Sequence, residues 1–128
     1  MDKIYIKELL NNDLLEIFEF HPDFFGEFEE LIINSGQVKK ILKLFVKKLY
    51  AIKKLNNIDY GPIWLEHLKA YGNMYSLHIT TNNKNYRLLF SKKSKKKYFL
   101  HVFHEKKGKK ITSYDTHVLK AIERRDNK

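Results

Sequence analysis

The chain has no cysteine, which excludes disulfides and thiolate metal sites. It has two prolines and five glycines in 128 residues, too few for a Gly/Ser/Pro-rich linker, and it carries no internal repeat, so one domain is expected over residues 1–128. No apolar run approaches the roughly 18 residues of a membrane span. The N-terminus, "MDKIYIKELLNND", has no signal-peptide pattern, and a cytoplasmic location is the default expectation. No long helix pairs a lysine face with an exposed Trp/Phe face, so a membrane partner is not expected.

What the chain does have is aromatic residues and lysine. Apolar residues make up 43% and aromatics 14%, a globular rather than a disordered composition. Net charge is +10, unevenly placed. Residues 1–35 hold nine acids and two lysines, a net of −7, and the remaining 93 residues sum to +17. Such asymmetry makes a directional field and points to a polyanion, with nucleic acid ahead of membrane. The alternative is a lysine-rich surface that only keeps the chain in solution. The lysines gather in two clumps, Lys92–Lys97 and Lys106–Lys110, around the apolar run "YFLHVFH".

Periodicity orders the elements. "LLEIFEF" (14–20) reads as a strand. Pro22 fits a helix start, and "DFFGEFEELIINSG" ends at Gly36, a helix C-cap. Val38, Ile41, Leu42, Phe45, Leu49 and Ile52 form one apolar stripe, with Lys39, Lys40, Lys43, Lys47 and Lys54 mostly opposite. After a short piece around "IWLEHL" come three strand-like runs, 73–80, 85–90 and 98–104, expected as an antiparallel meander. "SYDTHVLKAIERR" reads as a short closing helix with Ser113 at its N-cap. The expected class is α+β: a small antiparallel sheet of three to four strands, two helices packed on it, and a short C-terminal helix.

"LKAYGNMYSLHITTNNKNYRLLF", "FLHVFHEKKGKK" and "SYDTHVLKAIERR" together resemble the RelE/ParE superfamily of toxins from type II toxin–antitoxin pairs, nearest the HigB-like, phage-associated branch. Met74-Tyr75-Ser76-Leu77-His78 stands where that branch carries L-Y-E-L-R, and Tyr86-Arg87 stands at its Y-R. Phe103 with Lys106-Lys107 stands near F-x-K-K. Ser113, Tyr114, Val118 and Ala121 stand at the T, P, I and A of its last motif. The resemblance covers roughly residues 65–124. His78 replaces an arginine, His117 replaces a glutamate, and extra residues lie between Phe103 and Ser113. Residues 1–12 read as an N-terminal extension.

The resemblance implies a ribosome-dependent endoribonuclease, an mRNA interferase, that needs no cofactor and no metal. The ribose 2′-OH would attack its own phosphate while one group takes its proton and another protonates the leaving 5′ oxygen. It assigns charge stabilisation to Arg87 and Lys107, proton transfer to His78 or His104, and base stacking or proton transfer to Tyr114. Lys93, Lys95, Lys96, Lys106, Lys109 and Lys110 would hold RNA phosphates. Expected partners are a cognate antitoxin, mRNA and the ribosome. Two other readings stay open: a ParE-type toxin that inhibits DNA gyrase and cuts nothing, and a non-catalytic nucleic-acid binder.

The residues themselves leave choices. Arg87 within a short strand is either a bidentate phosphate clamp or half of a cross-strand ion pair. His78 is a proton-transfer group or an idle exposed histidine. A metal site at His101, His104 and Glu105 is rejected, because strand positions three apart face opposite sides. His101 is expected to share a face with Phe99 and Phe103.

Overall fold

The computed structural model describes residues 6–82, 84–105 and 111–127, with the backbone alone for 111–113. A 3₁₀ turn at Ile6–Leu9 leads into helix α1 (Asn12–Leu15), strand β1 (Phe18–Phe20) and helices α2 (Phe24–Ile32) and α3 (Val38–Lys53). Strands β2 (Leu65–His67), β3 (Met74–Thr80), β4 (Asn85–Lys93) and β5 (Lys96–His104) follow, then helix α4 (Ile111–Asp126).

The sheet is larger than expected and mixed. Its order is β1-β5-β4-β3-β2, with β1 parallel to β5 and the other pairs antiparallel. The fifth strand is β2, which adds three residues of "IWLEHL" to the β3 edge. The parallel pair follows from the long crossover through α2 and α3 that separates β1 from β5. The strand expected over 14–20 is confined to its last three residues. Ahead of it Asn12–Leu15 coils, because Asp13 takes bonds from Tyr50 and Lys53 of α3 and Leu14 is fully buried.

Helices α2 and α3 cover one face of the sheet. The stripe expected on α3 is the buried one, with Ile41, Leu42, Phe45, Leu49 and Ile52 all inside. They meet Tyr75, Leu77 and Ile79 of β3, Tyr86, Leu88 and Phe90 of β4, and Phe99 of β5. Ile6 and Leu10 join this core, and the Ile6 N–H donates to Glu29 at 3.0 Å. Gly36 joins α2 to α3 with φ +76, a left-handed conformation that glycine adopts without Cβ strain.

Helix α4 covers the other face. It spans 16 residues, longer than the short helix expected, and it starts at Ile111, so Ser113 lies in its first turn instead of at its cap. Val118 and Ala121 pack on Met74, Leu89, Leu100 and Phe103. A bulge in β5 governs this face. Leu89 pairs with His101 and Phe90 with Phe99, which leaves Leu100 as the extra residue. The bulge separates Phe99, in the α2/α3 core, from His101 and Phe103 on the α4 side, which corrects the shared face expected for these three. The Leu100 carbonyl accepts from Arg124 Nη1 at 2.8 Å. Arg124 also grips Glu27 of α2 through two bonds of 2.7 Å, tying α4 back to the first helix layer.

Candidate functional site

The period-two alternation of β3 sends Tyr75, Leu77 and Ile79 into the α2/α3 core and leaves Ser76 and His78 on the α4 face. In β4 the same alternation places Arg87 on that face. The register sets His78 directly opposite Arg87, Glu66 of β2 opposite Ser76, and Phe103 on the far side of Arg87. Tyr114 of α4 closes over them, its ring edge-on to Phe103 at 5.3 Å and 85°.

Among the described residues, Ser76 Oγ, His78 Nε2, Arg87 Nη1 and Tyr114 Oη are buried without an aligned hydrogen bond, and the Ser76 and Tyr114 hydroxyls lie close enough to interact with each other. Folded proteins leave few such atoms, because each costs about 1–3 kcal/mol of desolvation. Their convergence on one face makes this group the candidate site.

Arg87 is only partly committed. Its Nε donates to Glu105 Oε2 at 3.0 Å, while Nη1 stays unpartnered, and the side chain is 14% exposed. The cross-strand ion pair and the free guanidinium edge coexist. Burial pushes His78 down to about 4, helped by the Arg87 and Lys48 cations, so its imidazole is neutral at pH 7. The Glu66 carboxylate reaches within 3.2 Å of Nε2, off the line a hydrogen bond needs. It pulls the pKa upward, but it is half exposed and solvent screens it, so the downward direction holds. Burial pushes the Tyr114 hydroxyl up to about 12, with the adjacent Ser76 hydroxyl opposing, so it keeps its proton and can donate.

The structure brings together Arg87, His78 and Tyr114 and separates His104, Lys93, Lys95 and Lys96 from them. His104 pairs with Tyr86 across β4 and so lies on the opposite face, its ring 5.7 Å from that of Tyr86. It cannot share a substrate atom with His78 through the sheet. Lys106, Lys107, Lys109 and Lys110 lie outside the described residues. Lys93 and Lys96 are strand residues paired across the β4–β5 hairpin, whose turn is Ser94 (φ 58) and Lys95. Lys93 is six residues along β4 from Arg87, about 20 Å at strand rise. The hairpin lysines therefore sit at the far end of the sheet from His78. Lys96 is held by Glu19 at 3.2 Å, and Lys93 faces Lys96 directly, a like-charge pair that disfavours the fold by itself.

The sequence reading missed Glu66, Ser76, Glu105 and Lys48. Lys48 has a readable signal: it falls on the apolar row Ile41–Phe45–Ile52 of α3. Its ammonium donates to the His78 carbonyl at 2.7 Å and lies over the Trp64 ring, and burial lowers its pKa. Glu105 as the partner of Arg87 needs the strand register, which spacing alone does not supply. His101 is a core residue: its Nε2 lies 2.7 Å from His117 Nδ1, and His117 stacks on Phe103 at 4.0 Å. Among the described residues no group of three or more His, Asp or Glu side chains is placed to hold a metal ion.

The chain matches no known protein-family model, no curated protein and no solved structure.

Proposed function

We propose that this protein is a HigB-like toxin of a type II toxin–antitoxin pair and that it cuts mRNA on the ribosome. The observation that carries the reading is the cluster of four unpartnered buried polar atoms on the α4 face of β3 and β4. Arg87 Nη1–H and the Tyr114 and Ser76 hydroxyls are donors, and neutral imidazole adds an acceptor. That set complements a phosphodiester next to a ribose hydroxyl. His78 takes the 2′-OH proton as the 2′ oxygen bonds to phosphorus and the bond to the 5′ oxygen breaks. Arg87 and Tyr114 hold the non-bridging oxygens as charge develops there. The leaving 5′ oxygen takes its proton from water, because His104 is on the other face of the sheet.

A second reading, a ParE-type gyrase inhibitor, is favoured by the Arg87–Glu105 pair, which is how a purely structural arginine is held. One experiment separates them: brief expression, mapping of mRNA 5′ ends, and a gyrase supercoiling assay in parallel. New in-frame cuts are expected, and Arg87→Ala is expected to reduce them about 10²–10³-fold while the circular dichroism spectrum holds. Uncut mRNA with blocked supercoiling would transfer the protein to the second reading. Ribosome association should also weaken by orders of magnitude between about 50 and 200 mM salt as counterion release is lost.

A further inference from the structure

On the exposed side of α3, Lys39, Lys43 and Lys47 recur every fourth residue. They form one straight row about 12 Å long at helical rise. The adjacent row is Leu42 and Val46, and Leu9 of the first 3₁₀ turn supplies the opposite wall. These six residues line a single open groove with an aliphatic floor and a lysine rim. Leu9 is 49% exposed. Two other lysines of α3 have partners: Lys53 meets Asp13, and Lys48 meets the His78 carbonyl. Among the described residues no carboxylate pairs with Lys39, Lys43 or Lys47.

We propose that this groove docks an acidic amphipathic helix of a partner protein. A row of three cations spaced at one helical turn matches three carboxylates with the same spacing on a facing helix. The aliphatic strip beside it takes that helix's apolar row, the arrangement by which grooves read amphipathic helices. A nucleic-acid strand would use the lysines but has nothing to do with Leu9, Leu42 and Val46, which offer neither a stacking ring nor a donor. The proposal is independent of the nuclease reading, since none of the six residues belongs to the Arg87 face.

The test uses the full chain and a fluorescein-labelled designed helix with Glu along one row and Leu along the next. Anisotropy should show saturable binding. The triple variant Lys39→Glu, Lys43→Glu, Lys47→Glu should weaken it at least about tenfold. A variant of equal charge change, Lys54→Glu, Lys69→Glu, Lys120→Glu, should change it by no more than about twofold. Thermal melts confirm that both variants fold. Replacing the peptide leucines by serine should abolish binding. Absence of binding overturns the proposal. So does equal weakening by both triple variants, which means general charge attraction, and so does displacement of the peptide by single-stranded RNA, which assigns the row to nucleic acid.

Discussion

The two faces of the sheet are built on opposite terms. Under α2 and α3 lies an aromatic core in which Phe99 touches the rings of Phe18, Phe20, Phe24, Phe45 and Phe90 at 4.9–6.2 Å. Tyr75 and Tyr86 are buried in this core, and the Tyr75 hydroxyl donates to Asp59. Under α4 the apolar cluster is small, and Ser76, His78, Arg87 and Tyr114 lie beside it with unpartnered atoms. The same pleat that turns one set of side chains to the large core turns the alternate set to the small one. Stability is therefore concentrated on one side, and the other side can carry polar groups that do nothing for folding.

Mutations should separate the faces. Phe99→Ala, at the centre of the aromatic core, is expected to cost about 3–5 kcal/mol in urea unfolding. A loss comparable to that of an α4-face substitution would remove the distinction between the faces.

The next effect is pH dependence, and it belongs to the α4 face. Folded His78 and His101 both titrate near 4, against an ordinary 6.5. Between those values the unfolded chain binds more protons, so stability must fall as pH drops from about 6.5 to 4. Glu27, held below its usual range by Arg124, adds a further loss as pH falls through its folded pKa. His78→Gln should recover about 2 kcal/mol of the acid loss at pH 4. Urea midpoints measured from pH 7 to pH 4 check this, and a parent-like curve would clear His78 of any part in it.

Smaller effects should run in the opposite direction. Ser76→Ala and Tyr114→Phe each delete an unpartnered buried hydroxyl, so each should be neutral or stabilising by up to about 1 kcal/mol, while mRNA cleavage falls. A clear loss of stability in calorimetry would mean that these hydroxyls are partnered within the fold. Smallest of all, Lys93→Glu turns a like-charge cross-strand pair into an attractive one. It should gain about 0.5 kcal/mol at low salt while ribosome association weakens. An unchanged melting temperature at low ionic strength argues that the two ammonium groups stay apart.

Much of this was legible in the sequence. The stripe of α3 and the three meander strands follow from periods of 3.6 and 2, which depend on local chain geometry alone. The same period of 2 puts Arg87 and His78 on the face away from Leu77 and Leu88. What escaped were relations between distant residues. Arg124 and Glu27 meet across 97 positions of sequence. Glu105 meets Arg87 only through the β4–β5 register.

By itself, then, the sequence determined the types of α2 to α4 and β3 to β5, the inward faces of β3 and β4, and the basic field, since each arises from neighbouring residues or from a sum over the chain. Tertiary structure alone decided the rest. It placed His78 opposite Arg87, it sent His104 to the other face, and it set the hairpin lysines at the far end of β4. It also inserted the Leu100 bulge that divides Phe99 from His101. These depend on register, and register is chosen by the packing of whole layers: one residue of slip in a strand exchanges its two faces, a choice that no short stretch of sequence contains.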